Sequence, residues 1–406
     1  MAANNKKEPS AELADTGAPV AASTPTANKQ KRKVIYVFQG GGALGPFQVG
    51  GVEALYEADY SADMIVGISI GGINASILAG NPPETRLARL KEFWNRVTVS
   101  VPLPNAPFLE AAKIHNYWGA QHALYFGQPG FYKPKYVNPW LLKHVTPDQL
   151  SFYDTTPLRN TLLELIDFDY LNAGHVRLCL GVTDLASGEF VFFDNHKEHI
   201  SVEHIMASGA LPPGFPAIEI DGRYYVDGGV YANTPLSKVL EEFADSELDI
   251  HNVLCFMFDL FSAKGPLPHT MDGMLERIKD IQYSSHSKRS NSIYATAQNL
   301  SHAIRFLSSK LPPELKKDPE IKAIMKLGHA NRLDLVHVIY RSPRGTELNS
   351  KDYNFSAETA HLHWLQGYEQ TNELIKARSK EWEKAHKEGL VVYTMENNGT
   401  KSIQIK

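Results

Sequence analysis

Cysteine is scarce in this chain: there are two in 406 residues, Cys179 and Cys255, each within an apolar, strand-like segment. Two such thiols exclude a disulfide framework and a cysteine-based metal centre, and they read as buried, unbridged side chains suited to a reducing compartment. Long apolar runs are missing too. Nothing approaches the roughly 18 consecutive apolar residues of a membrane-spanning helix, and the N-terminus lacks the apolar core of a secretory signal, so the expected location is the cytoplasm. An excess of charge is also absent: 41 Lys and Arg against 45 Asp and Glu leave a formal −4, with no overall pull toward nucleic acid. What is present in quantity is apolar surface, with 43% hydrophobic and 10% aromatic residues, ample for one large domain or two.

The chain is organised around the stretch from Val34 to Ser76. Val34-Ile35-Tyr36-Val37-Phe38 is β-branched and aromatic and of strand length, and it feeds into Gly40-Gly41-Gly42-Ala43-Leu44-Gly45. Glycines turn tightly and leave their N–H groups open. Pro46 suits a first helical turn, and Val49, Val52, Leu55 and Tyr56 recur at helical spacing, so those amides sit near a helix N-terminus, where an oxyanion is favoured. A second strand, Met64-Ile65-Val66, runs into Gly67-Ile68-Ser69-Ile70-Gly71 and an apolar segment from Ile73 to Ala79. Strand, sharp turn and helix are the context in which G-x-S-x-G exposes a nucleophilic serine. Alone, the pentapeptide is as readily a surface loop; the glycine run on the preceding βα turn shifts the reading toward Ser69 as nucleophile.

A third block follows: Ala207-Ser208-Gly209-Ala210-Leu211-Pro212-Pro213-Gly214-Phe215-Pro216, then Gly222 to Leu236, which contains Asp227-Gly228-Gly229. With it the chain resembles the patatin-like phospholipase family, over roughly residues 34 to 240. The resemblance implies a three-layer α/β/α fold with a mainly parallel central sheet, a serine acyl hydrolase of phospholipase A or lysophospholipase type, and a Ser/Asp dyad carried onto Ser69 and Asp227. Gly40, Gly41 and Gly42 would form the oxyanion hole, with no metal and no cofactor. Many members have Arg or Lys where this chain has Leu44, which removes an anion contact near the glycine loop. Lys351-Asp352-Tyr353-Asn354-Phe355-Ser356, with His363-Trp364 and Gly367-Tyr368, is similar to a C-terminal region of unknown role in some bacterial members.

Three parts are expected: a disordered tail over 1–33, an acyl-hydrolase domain over 34–258 and a mostly helical C-terminal region over 259–406. The tail ends in the basic cluster Lys29-Gln30-Lys31-Arg32-Lys33, which reads as solvated, with contact to an acidic membrane surface as the alternative. Helices are predicted over Glu84–Val97, Leu158–Leu165, Ile205–Ala210 and Pro235–Phe243. Strands are predicted over His175–Val182 and Phe190–Phe193, and a hairpin joins 217–220 to 223–226 across Asp221-Gly222. Val253–Phe258 reads as the strand that closes the sheet. Beyond it, helices are expected over Met274–Ile281, Ile293–Leu307, Pro319–Leu327 and Ser356–Ala377, with a strand over Leu335–Tyr340. Between Val101 and Leu142 six prolines break regular structure while nine large aromatics accumulate, so this stretch is either a wall of the acyl pocket or a packed insertion.

A serine hydroxyl needs a neighbour to take its proton, and its attack creates an oxyanion that needs fixed donors. Asp227 in Asp-Gly-Gly could simply shape a turn; with Ser69 upstream the base role is preferred. A Ser-His-Asp triad using His251, His269 or His286 is the runner-up, and His363 reads as structural. The acyl substrate is left open among phospholipid, lysophospholipid, thioester and hydroxyalkanoate ester. An inactive lipid-binding scaffold is a further alternative, and no nucleic-acid partner is expected.

Overall fold

The computed structural model describes residues 32–102, 108–244, 252–328, 332–342, 347–382, 390–396 and 399–403. All but the last two residues of the expected N-terminal tail lie outside these. Strands β1 (Lys33–Phe38) and β2 (Met64–Ile68) occupy the middle of a ten-stranded sheet and are each followed by a helix, α1 (Pro46–Glu57) and α2 (Ile70–Ala79). Helices α3 (Arg86–Val97) and α4 (Phe108–Phe126) come next, then a two-stranded ribbon of β3 (Lys133–Pro134) and β4 (Tyr153–Asp154). Helices α5 (Thr156–Leu165) and α6 (Phe168–Asn172) lead into the antiparallel pair β5 (Arg177–Asp184) and β6 (Phe190–Asp194). After α7 (Val202–Ser208) come the hairpin β7 (Ile218–Ile220) and β8 (Arg223–Asp227), helix α8 (Leu236–Ala244) and β9 (Asn252–Asp259). The chain ends with α9 (Met271–Lys310), α10 (Pro319–Met325), β10 (Arg332–Ile339), α11 (Ala357–Trp382), β11 (Leu390–Glu396) and β12 (Gly399–Ile403).

The strand order is β12-β11-β10-β9-β1-β2-β5-β8-β7, with β6 also on β5. Every pair from β11 through to β5 is parallel. Because strand side chains alternate, Val34, Tyr36 and Phe38 of β1 join one core with α1 and α2, while Ile35 and Val37 join a second on the opposite face with Leu236 and Val239 of α8. Both faces are covered, which is why these strands read as continuous apolar runs.

Three expectations are corrected. The prolines between Val101 and Leu142 bracket a helix instead of breaking one, since Phe108–Phe126 contains no proline and its single glycine, Gly119, is packed closely against Asn354. The two helices expected over 274–307 are one, because the polar stretch between them interrupts the apolar pattern without supplying glycine or proline to end the helix. Finally, β9 does not close the sheet: β10 pairs along its whole length, from Arg332↔Asn252 to Ile339↔Asp259, and β11 and β12 extend the sheet further. From Arg32 onward the chain forms one compact unit.

Candidate active site

The glycine loop and Ser69 lie at the carboxyl ends of adjacent parallel strands, each at the start of a helix. Ser69 has φ 57° and ψ −131°, a backbone conformation rarely adopted by a residue with a side chain. The turn is possible because its neighbours are small: a Cβ on Gly71 would lie 2.6 Å from the Phe38 carbonyl oxygen. The strained turn is held from the side, since the Ser69 amide donates to the Ser208 carbonyl at 2.9 Å and Ser208 Oγ donates to the Gly181 carbonyl at 2.9 Å. Ser69 is half-buried, at the N-terminus of α2 where the helix dipole favours negative charge.

Asp227 ends β8, in register with Val182 of β5, and its amide donates to the Ala210 carbonyl. Its Oδ1 accepts from the Gly229 amide at 2.7 Å. Its Oδ2 is buried without a hydrogen bond of ordinary geometry, although the Ser69 hydroxyl is near enough to stabilise the carboxylate. Burial is the larger influence: it disfavours the ionised form and pushes Asp227 up to about 7, against the weaker opposing effects of Ser69 and the Gly229 amide. The pairing is therefore loose, as is common for catalytic contacts before substrate binds.

Gly40 is clamped to Asn233 by two bonds, its amide donating to the Asn233 carbonyl at 3.2 Å and Asn233 Nδ2 donating to the Gly40 carbonyl at 3.0 Å. Its α-carbon is so close to the nucleophile that an added Cβ would lie 2.9 Å from Ser69 Cβ. Gly41 and Gly42 are more exposed, and their amides donate to none of the loop and turn carbonyls. Beneath the loop, Gln39 Oε1 accepts from the Leu260 and Phe261 amides and its Nε2 donates to Thr234 Oγ1.

These groups face a cavity of about 270 Å³. Gly40, Gly41, Gly42, Ser69, Asp227 and Asn233 form its polar part, and Leu124, Phe131, Tyr132, Tyr153, Phe215, Phe261 and Phe355 are among its apolar walls. The aromatic stretch thus contributes Leu124, Phe131 and Tyr132, whereas Trp118 and Tyr125 point outward at 59% and 72% exposure. Among the described residues no histidine and no Lys or Arg lines the cavity, and none forms a cluster able to hold a metal. His251 lies outside the described residues, His269 is exposed on the loop before α9, and His286 sits within α9. Leu44 is buried in the core, away from the cavity.

Sequence reasoning gave no site role to Asn233, Ser208, Gln39 or Tyr283, nor to Asp352, Tyr353 and Phe355 of the C-terminal motif, although Asn233, Tyr283 and these three line the cavity. Asn233 and Ser208 belong to the third motif block, where a role in positioning the two loops was the available signal. Nothing local in the sequence brings 352–355 to Ser69.

A family model described as Patatin-like phospholipase matches residues 36–240, and a second, described as Patatin phospholipase, matches residues 281–388. Among solved structures, the chain is similar to VipD from Legionella pneumophila at 17% identity and a TM-score of 0.36, over 85% of this chain and 67% of that one. With half of its length matched by the first model, this chain belongs to the patatin-like phospholipase family.

Proposed function

We propose that this protein is a serine acyl hydrolase acting on lipid esters, of phospholipase A or lysophospholipase type, with Ser69 as nucleophile and Asp227 as general base. The observation that carries this reading is the Asp227 carboxylate, buried beside Ser69 under an apolar cavity, where loss of solvation pushes it up to about 7. An ordinary carboxylate near pH 4 is a poor match for a serine hydroxyl; one near 7 is a usable base. Ser69 Oγ attacks the ester carbonyl carbon as its proton passes to Asp227 Oδ2, and the carbonyl oxygen becomes an oxyanion. The Gly41 and Gly42 amides receive it, with Gly40, whose own amide is occupied by Asn233, setting their position. Collapse expels the alcohol, which takes the proton from Asp227. Water, deprotonated by the same carboxylate, then releases the acid and restores Ser69.

An esterase or thioesterase on other acyl substrates, such as hydroxyalkanoate esters, is the second reading, favoured because no cation among the described residues lines the cavity to meet a phosphate. An inactive lipid-binding scaffold is the third. We also place the protein in the cytoplasm, where free Cys179 and Cys255 are at home, with a peripheral membrane contact through α4. Ile114, Tyr117, Trp118 and Tyr125 lie exposed along that helix, whose last turn carries the cavity-lining Leu124. Product analysis of purified protein and Ser69→Ala against a panel of phospholipids, lysophospholipids, thioesters and hydroxyalkanoate esters tests the assignment. Ser69-dependent release of fatty acid from a phospholipid or lysophospholipid supports the first reading, turnover of only the thioesters or hydroxyalkanoate esters the second, and no turnover at all contradicts both.

A further inference from the structure

We propose that His363, held by Glu347, is a positioning residue for the oxyanion loop, so that the C-terminal region completes the catalytic site. The proposal rests on the acyl-hydrolase reading in which the Gly41 and Gly42 amides receive the oxyanion.

Those two glycines lead into the 3₁₀ turn Gly42–Leu44, and the carbonyl of Ala43 within it is engaged from behind by His363 Nδ1 at 3.3 Å. On the other side of the ring, His363 Nε2 lies 2.8 Å from Glu347 Oε1. Both side chains are buried, at 2% and 6% exposure, and the Tyr340 hydroxyl donates to the same Glu347 oxygen. Burial alone would raise the Glu347 carboxyl, but the His363 contact and the charge of Lys351 hold it below its ordinary value, so it is an anion. A carbonyl on one side and a carboxylate on the other are both acceptors. The ring bridges the two, Nδ1 facing the Ala43 carbonyl and Nε2 the Glu347 carboxylate, so a buried polar pair is aimed at one backbone oxygen.

Packing alone does not call for such a pair, because burying polar side chains costs more than apolar filling of the same space. The remaining contacts fix the loop from two more directions. Gly42 has φ +53°, and a Cβ there would lie 2.1 Å from the Asp352 carbonyl oxygen, so the Lys351–Tyr353 turn presses directly on the loop. That turn is anchored by buried Lys351, which pairs with Glu276 at 3.2 Å and Asp280 at 2.8 Å. Helix α11, which carries His363, touches α1 backbone to backbone: a Cβ on Gly367 would meet the Phe47 carbonyl oxygen at 1.9 Å. Helix α11 therefore cannot carry His363 away from Ala43 without moving the helix that follows the oxyanion loop.

The test compares His363→Ala, His363→Asn and Glu347→Gln with the native protein on a soluble short-chain ester, reading kcat and KM separately, the rate of fluorophosphonate attachment to Ser69, and melting temperature. Asparagine Nδ2 stands where Nδ1 stood and keeps a donor to Ala43 without the contact to Glu347. His363→Ala is expected to lower kcat and the labelling rate by about 10- to 100-fold, the scale of a misplaced catalytic group, with KM little changed. His363→Asn is expected to recover about tenfold of this although it melts no higher than the alanine variant. Unchanged kcat in folded His363→Ala, or losses that follow melting temperature with no rescue by asparagine, overturn the proposal. Should the alanine variant not fold, Glu347→Gln decides, with a several-fold fall in kcat supporting the brace and an unchanged kcat refuting it. If instead Ser69→Ala keeps full turnover, the acyl-hydrolase reading itself fails, an outcome distinct from failure of the brace alone.

Discussion

The hydroxyl of Ser69 faces a carboxylate, Asp227, that is fully buried and pushed up to about 7 by loss of its solvation. A base must be ionised to accept the serine proton, so kcat/KM should rise with pH along a limb whose midpoint lies near 7. A pH–rate profile on a soluble ester, at saturating and at low substrate, checks this; a limb centred near pH 4 would mean that Asp227 is not the base.

The same shift carries a stability cost with a definite sign. The folded pKa lies above the unfolded value of 3.8, so the folded state holds its proton longer and the penalty of ionising Asp227 in the core grows between about pH 4 and 7. Above pH 7 it is fully present. Asp227→Asn should therefore be nearly inactive yet melt higher than the native protein at pH 8, by at most about 4 kcal/mol, with the gain gone at pH 4. A variant equally destabilised at both pH values would show that the lost Gly229 contact outweighs desolvation.

Nucleophile and base act as one unit. Ser69→Ala and Asp227→Asn should each lower kcat by about a thousandfold or more, and the double variant should be little worse than either. Multiplicative losses would show independent roles. Alanine at His251, His269 or His286 should leave most turnover intact; loss of turnover in one of these, with native stability, would call for a triad.

Much of this site was legible because its parts are local. Gly40–Gly42 and Ser69 sit on successive βα turns, and turn chemistry marked both; the Asp221-Gly222 hairpin likewise announced β8 and the place of Asp227. The rest depends on tertiary contacts. No pattern in the sequence indicates that Asn233 occupies the Gly40 amide, or that Asp352 and Phe355 return to line a cavity built mainly by residues before 240. The composition of 101–142 marked an aromatic surface but not its direction: prolines delimit α4, and the face it buries is set by its packing on 354–356, not by which residues are largest.

The outward aromatics of α4 and the cavity wall should separate experimentally. Trp118→Ala with Tyr125→Ala should reduce co-sedimentation with phospholipid vesicles while sparing hydrolysis of a soluble ester, whereas Phe131→Ala should alter acyl-chain preference and cost about 3–5 kcal/mol of stability, as loss of a buried aromatic does. Vesicle binding unchanged in the double variant would remove α4 from the membrane contact.

The most direct measurement is fluorophosphonate labelling of the native protein followed by intact mass and peptide mapping. The account predicts one adduct, on Ser69, formed faster above pH 7 than below it and absent from Ser69→Ala. A folded protein that takes up no label, or whose adduct maps to another serine, would contradict it.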